Sequence, residues 1–259
     1  MTDPDTPTTE RPTMPPVTRP ASWLSQANIT TGLALVAVIL AAAPYVVPQV
    51  QAWQVRHGML ARPSTLQEAF DALQDQKARQ AASDATEAIK AHHASIFDDP
   101  ADPVIGNPNG KIKVVEFLDY LCAYCRAYSP GIQDFLAKNP DVKLIIKEYP
   151  VVHPPDSIAM AHIGMAVAKS GHYEEIHYAL LDNAVKGPED LDVVLKQQGL
   201  DPTAVHNAAK AAAIEQHVAQ TINLGYALKI AGTPTFIIGD KEVTAPDLAA
   251  AVAAARKAG

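Results

Sequence analysis

Two cysteines are the residues of this 259-residue chain whose spacing most directly suggests chemistry. Cys122 and Cys125 are its only cysteines, and two residues separate them. A framework of structural disulfides needs more cysteines, and a structural zinc site needs four ligands, of which two thiolates supply half. We therefore expect no metal at this motif. A CxxC pair in an α/β context is typical of thiol–disulfide exchange.

The predicted elements around the motif favour this interpretation. Residues 111–118 form a run typical of a buried strand and residues 123–137 a helix, so Cys122 lies at the helix N-terminus. Free N–H groups and the helix dipole stabilise a thiolate there. Cys125, one turn later, would lie deeper and could resolve a mixed disulfide formed at Cys122. The alternative is an inert disulfide, which would stabilise little because it closes so short a loop.

A second motif lies near the C-terminus. Gly232-Thr233-Pro234-Thr235 precedes a strand–turn–strand–helix pattern over residues 235–238, 241–243 and 246–257. A Thr-Pro dipeptide alone is weak evidence, since most such prolines are trans turn residues. Its significance comes from the CxxC upstream.

Together the two motifs resemble the DsbA-like thiol:disulfide oxidoreductases of the thioredoxin superfamily. The resemblance is closest to the exported or membrane-anchored ScsC-like branch, whose members have a helical N-terminal extension. Its motifs lie at residues 114–125, 147–150, 156–157 and 232–240. The likeness covers about residues 98–259 and implies an α/β, thioredoxin-like fold with a helical insertion. The mostly helical pattern of residues 155–230 suits that insertion.

The resemblance also implies a role for each site residue. Cys122 corresponds to the nucleophile and Cys125 to the resolving cysteine. Pro234 corresponds to the cis-proline beside them, and Thr233 to its variable neighbour, whose backbone meets the substrate. Glu116 corresponds to a buried acid near the inner cysteine, where a carboxyl group with a raised pKa could carry the proton of Cys125.

The residues between the cysteines depart from DsbA itself. Ala123 and Tyr124 occupy these positions and are expected to contact substrate, and DsbA has a histidine second. A tyrosine there, and Thr233 before the proline, are closer to the disulfide isomerases. The redox direction is therefore open between an oxidase and an oligomeric isomerase or reductase. A glutathione-dependent enzyme and a non-catalytic stalked adaptor are further alternatives.

The resemblance and the chemistry also imply partners. We expect reduced or misoxidised exported proteins as substrates, and a membrane redox partner that recycles the CxxC. No cofactor and no resident metal are expected. The formal net charge is −7, and the chain has no basic stripe, so a nucleic-acid role is poorly supported.

The N-terminal third has a different organisation. Residues 1–27 form a Pro- and Thr-rich tail that we expect to be disordered. Residues 28–50 are predicted as a transmembrane anchor, since the uncharged segment 30–47 is just long enough to span a bilayer. The alternative is a cleaved signal peptide, which Pro44 after Ala41-x-Ala43 opposes. These segments therefore predict a single-pass bacterial inner-membrane protein, with its catalytic domain in the periplasm.

Residues 51–97 are predicted as a helical stalk, either a simple spacer or a homo-oligomerising coil. Leu66, Phe70 and Leu73 share one helix face, but polar residues interrupt it later. A turn-rich linker over residues 98–109 is expected to connect this stalk to the domain.

Overall fold

The computed structural model describes residues 26–258 apart from 62, 183, 184, 186 and 187. The predicted disordered tail therefore lies almost wholly outside the described residues. The chain divides into two compact units, Met1–Ala72 and Leu73–Gly259.

The first unit is helical where it is described. Helix α1 spans Gln26–Ala61, and α2 begins at Pro63 and ends at Ala91. Several apolar side chains of α1, such as Leu33 and Val38, are exposed. A membrane-spanning helix needs about 20 predominantly apolar residues in succession. Among the described residues, no helical stretch is at once long and apolar enough to cross a bilayer, so the predicted span over residues 30–47 is not supported.

A five-stranded mixed sheet forms the centre of the second unit. Its strands are β1 (Val104–Gly106), β2 (Ile112–Leu118), β3 (Val142–Glu148), β4 (Thr235–Ile238) and β5 (Lys241–Val243). They lie in the order β1-β3-β2-β4-β5. Strands β2 and β3 are parallel, and the other pairs are antiparallel. The edge strand β1 lies in the segment predicted as a linker, where prolines on both sides make so short a strand hard to recognise from the sequence.

Helices cover the sheet and fill the long connection between β3 and β4. After α3 (His93–Phe97), the helices are α4 (Ala123–Lys138), α5 (Asp156–Val167), α6 (Tyr173–Leu181), α7 (Pro188–Gln197), α8 (Pro202–Ala208), α9 (Ala212–Ala227) and α10 (Leu248–Ala258). Helices α5 to α9 form one insertion, as expected for residues 155–230. A 3-10 turn, Ala245–Asp247, leads into α10.

The central strands are buried because helices lie against both faces of the sheet. On one face, Val114 and Leu118 pack with the insertion and with α10. On the other, Val115 packs with Ile96 and Phe97. The segment just before residue 98 therefore contributes to the core of the second unit, which begins N-terminal to the boundary that the sequence suggests.

Candidate active site

Cys122 is the N-cap residue of α4. Its backbone is extended (φ −73°, ψ 121°), and the helix begins at the next residue. The residue is only 6% exposed, and its thiol donates a hydrogen bond to the carbonyl oxygen of Thr233, with 3.1 Å between Sγ and O. The sulfur therefore lies at the N-terminal end of a helix dipole and against the loop before β4.

Cys125 lies one turn further along α4 and is buried deeper, at 3% exposure. Both cysteines carry free thiols. Burial raises the pKa of the Cys125 thiol far above its usual range, and the charge of Glu116 raises it further. The two sulfurs therefore differ in environment as an attacking and a resolving thiol should.

Glu116 lies on β2, between Ile146 of β3 and Phe236 of β4 in the sheet register. It is 5% exposed, and burial raises its pKa to about 8. The carboxyl group therefore keeps its proton at neutral pH, close enough to Cys125 for their charges to interact.

The loop before β4 places Thr233 and Pro234 beside the thiols. The Thr233–Pro234 peptide bond is cis. Both residues are half-buried, and the carbonyl of Thr233 meets Cys122. Ala123 and Tyr124, by contrast, are exposed, with Tyr124 at 68%. The structure thus brings Cys122, Thr233 and Pro234 together and leaves the two intervening residues at the surface, where a substrate can reach them.

Most of the second unit matches a known protein family. The family model described as thioredoxin matches residues 98–255. The chain belongs to the thioredoxin family.

Several of its relatives are named thiol:disulfide interchange proteins. The chain is 26% identical over 148 residues to the thiol:disulfide interchange protein DsbA of Burkholderia cepacia, which covers 55% of this chain and 69% of that protein. A thioredoxin-like oxidoreductase from Silicibacter pomeroyi DSS-3 is 33% identical, with a TM-score of 0.59, over 64% of this chain and 98% of the other. This thioredoxin-family protein is accordingly a DsbA-like thiol:disulfide oxidoreductase.

Two other matches differ in how much of each protein they cover. ScsC of Proteus mirabilis in a transitional conformation is 25% identical, with a TM-score of 0.56, and covers 83% of this chain and 97% of its own. The chain also matches the Na(+)/H(+) antiporter NhaA 3 of Salinispora tropica at 27% identity, over 58% of this chain but only 23% of that protein's length.

Asp119 fixes the turn that leads into the thiol motif of this DsbA-like protein. The carboxylate is 1% exposed and accepts two backbone hydrogen bonds, from Leu121 N to Oδ1 and from Val152 N to Oδ2, each at 2.8 Å. Charge-assisted bonds of this kind are strong. They join the loop before Cys122 to the loop after β3 and so hold Cys122 in place.

A buried cluster of four polar side chains lies between the sheet and the insertion. The hydroxyl groups of Tyr120 and Tyr173 donate to Oε1 of Glu148, at 2.7 and 3.2 Å. The Nδ1 atom of His177 lies 3.1 Å from the Tyr120 oxygen. Burial raises the pKa of Glu148 to about 8, against the effect of the two donors, and lowers that of His177 to about 3. The imidazole is therefore neutral at physiological pH.

Gly164 of α5 makes room for this cluster. A Cβ atom there would lie 2.7 Å from Oε1 of Glu148 and 2.8 Å from the hydroxyl oxygen of Tyr120. Any side chain would therefore separate α5 from the cluster, since such approaches are shorter than van der Waals contact.

The sequence analysis missed this cluster. Tyr120 closely follows the buried strand β2, and Glu148 is the last residue of β3. A polar residue at the carboxyl end of a buried strand is a sequence signal that could have pointed to both. Tyr173 and His177, i and i+4 on α6, give no such signal, because a polar pair on a helix is ordinarily a solvated face.

Proposed function

We propose that this protein exchanges disulfides with exported proteins through Cys122 and Cys125. In the oxidised enzyme, a substrate thiolate attacks Sγ of Cys122, forming a mixed disulfide and releasing Cys125 as a thiolate. A second substrate thiolate then attacks the substrate sulfur of the mixed disulfide. Cys122 leaves, the substrate gains a disulfide and the enzyme is left as a dithiol.

The observation that carries the proposal is the placement of Cys122. Its sulfur lies at the N-terminus of α4 and 3.1 Å from the Thr233 carbonyl oxygen, while Cys125 is buried behind it. The backbone beside Thr233 gives an extended substrate segment a partner for main-chain pairing. Ala123 and Tyr124 would contact the same segment from the opposite side, since both are exposed.

Glu116 is the group we assign to proton transfer at Cys125. Expelling Cys125 as a thiolate into so apolar a position is costly. A neutral Glu116 can give the thiolate its proton, and its ionised form can take the proton back when the dithiol is reoxidised. The pKa of about 8 allows both directions near neutral pH.

The location follows from the same chemistry. A protein that forms or rearranges disulfides works where disulfides persist, which in a bacterium is the periplasm or the cell exterior. We place the catalytic unit there, with reduced or misoxidised exported proteins as substrates. Each oxidation leaves Cys122 and Cys125 reduced, so a membrane redox partner is required to restore the disulfide.

An isomerase that acts as an oligomer is the second candidate. The exposed side chains Leu66, Phe70 and Leu73 of α2 support it, since their i, i+4, i+7 spacing forms an apolar stripe. Such a stripe suits association with a second copy. Tyr124 and Thr233 favour the same activity, since their types are closer to those of disulfide isomerases.

Reactivation of ribonuclease by the full chain tests both candidates. The oxidised protein should restore activity to reduced ribonuclease if it is an oxidase, and the reduced protein should restore the scrambled form faster if it is an isomerase. Cys122→Ser should abolish either activity. If the variant stays fully active, disulfide exchange through Cys122 is wrong.

A trapping experiment separates the roles of the two cysteines. Cys125→Ser should accumulate a mixed disulfide with scrambled ribonuclease, because Cys122 attacks a substrate disulfide, a substrate thiolate leaves, and the enzyme has no second thiol to resolve the product. Cys122→Ser is the matched control and should form none. Equal trapping by the two variants would contradict the assignment of Cys122 as nucleophile.

A further inference from the structure

A polar cluster in the catalytic unit takes no part in the exchange described above. Ligand atoms of Asp99, Asp102 and His217 all lie within 4.8 Å of one another. Asp99 and His217 line a cavity of about 480 Å³, together with His92 and Lys147. We propose that this cluster binds Zn²⁺ through His217 and Asp99, with Asp102 as the residue that orients the imidazole.

Asp102 holds the His217 ring from its buried side. Its Nε2 atom lies 3.0 Å from Oδ1 of Asp102, whose side chain is 1% exposed. The ammonium group of Lys147 forms an ion pair with the other oxygen of Asp102, and so balances the buried charge. A carboxylate in this position keeps the imidazole proton on Nε2 and leaves the lone pair on Nδ1.

The Nδ1 atom faces a second carboxylate. It lies 3.8 Å from Oδ2 of Asp99, which is too long for a hydrogen bond. Oδ1 of Asp99 accepts from the amide of Ala101 at 2.9 Å, so this carboxylate is also held in place. The His217 side chain is only 10% exposed. The 3.8 Å gap between this ring nitrogen and the carboxylate oxygen is wide enough for a cation to bind to both atoms.

The dimensions of the gap suit zinc. Bonds from Zn²⁺ to nitrogen and to carboxylate oxygen are each about 2.0 to 2.2 Å long, so one ion can join atoms up to about 4 Å apart. The separation of 3.8 Å leaves an open bond angle, and a shift of a few tenths of an ångström would make it tetrahedral. Water molecules from the cavity would complete the coordination of the ion. Mg²⁺ and Ca²⁺ prefer oxygen ligands alone, so the imidazole favours Zn²⁺.

The ion would join distant parts of the chain. Asp99 follows α3, whereas His217 belongs to α9 of the insertion. Because the ligands are assembled only by the fold, binding should stabilise the folded state. This is a structural role, separate from the thiols of the active site.

Zinc binding can be measured without any contribution from the CxxC. In the full chain with Cys122→Ser and Cys125→Ser, we expect one equivalent of Zn²⁺ to bind in isothermal titration calorimetry and to raise the melting temperature. Co²⁺ in its place should give the visible absorption of a tetrahedral site. If the double variant binds no Zn²⁺, the proposal is wrong.

Substitutions locate the site. In the same background, Asp99→Asn and His217→Gln should each weaken Zn²⁺ binding at least tenfold. Asp98→Asn and His93→Gln are matched controls, since this neighbouring pair is exposed and 3.6 Å apart, and both should leave the affinity unchanged. Asp99 is about one-third exposed, so its variant should fold even if that of His217 does not. Affinity that survives Asp99→Asn, or falls equally in the controls, would overturn the assignment.

Discussion

Two buried carboxyl groups on neighbouring parallel strands have similar raised pKa values although their hydrogen-bond surroundings differ. Burial alone raises the pKa of Glu116 on β2 to about 8. Glu148 at the end of β3 reaches about the same value although two tyrosine hydroxyl groups donate to it and oppose the rise. One carboxyl group has its proton available beside a thiol, and the other is held by fixed donors.

The difference shows that a raised pKa does not by itself identify a proton carrier. Glu116 acts on Cys125 through its charge, and the pKa of the thiol responds. Glu148 sits among Tyr120, Tyr173 and His177, which join the sheet to α6. We interpret Glu116 as part of the chemistry and Glu148 as a positioning group that holds the insertion against the loop before Cys122.

The largest expected effect is on stability as a function of pH. Between about pH 4.5 and 8 the unfolded chain has lost the protons of Glu116 and Glu148 while the folded chain retains them. The free energy of unfolding should therefore fall as the pH rises through this window, by about 1.4 kcal/mol per pKa unit for each group. Urea unfolding at pH 5, 6.5 and 8 measures it. Glu116→Gln and Glu148→Gln should each flatten the curve, and a curve that keeps its slope in both variants would disprove the cause.

The next effect separates the two carboxyl groups kinetically. Glu116→Gln should slow reduction of the Cys122–Cys125 disulfide by about 100-fold at pH 7, because the amide cannot give a proton to Cys125. Quenched flow with thiol alkylation measures the rate. Glu148→Gln is the matched variant and should stay within about twofold of the unmodified protein. Equal losses of rate in the two variants would show that Glu116 and Glu148 do not differ in their role in reduction.

Gly164→Ala tests how closely α5 is packed on the Glu148 cluster. The added methyl group would lie 2.7 Å from Oε1 of Glu148, so we expect a loss of about 1 to 3 kcal/mol of stability in urea unfolding. Gly131→Ala on α4 is the control, since nothing lies within 4 Å of its Cβ position, and it should be neutral or slightly stabilising. A stable Gly164→Ala protein would show that the cluster can move apart without cost.

The smallest effect is the loss of one donor. Tyr173→Phe removes the 3.2 Å hydrogen bond to Glu148 and should cost about 1 kcal/mol. It should also raise the pKa of Glu148 further, since that donor favours the ionised form. Carbon-13 NMR of the carboxyl group measures this pKa. The exposed Tyr124→Phe should change neither quantity, and a fall in the Glu148 pKa in Tyr173→Phe would refute the account.

The sequence allowed the thiol motif and its supporting elements to be predicted because their signals are local. Strands β4 and β5 have the predicted bounds, and α4 begins at Ala123 as expected. The family resemblance then related Pro234 to Cys122, more than 100 residues away. Strand β1 was not predicted because its three residues lie in a segment rich in turn formers.

Contacts between distant residues could not be predicted in this way. Tyr120 and His177 are 57 residues apart, and Asp102 and His217 are 115 apart. No periodicity joins such positions, since only the course of the insertion across the sheet brings them together. The span predicted over residues 30–47 rested on composition and length alone, and it is not supported among the described residues.

The place of the insertion in the chain has a consequence for biogenesis. Cys122 and Thr233 meet in the fold but are 111 residues apart, with α5 to α9 between them. At a synthesis rate of about 5 to 20 residues per second, the cysteines emerge roughly 5 to 20 s before the loop that covers them. During that interval the nascent thiols are open to oxidants and to other unfolded chains. The length of the insertion therefore sets how long the two cysteines stay uncovered during synthesis.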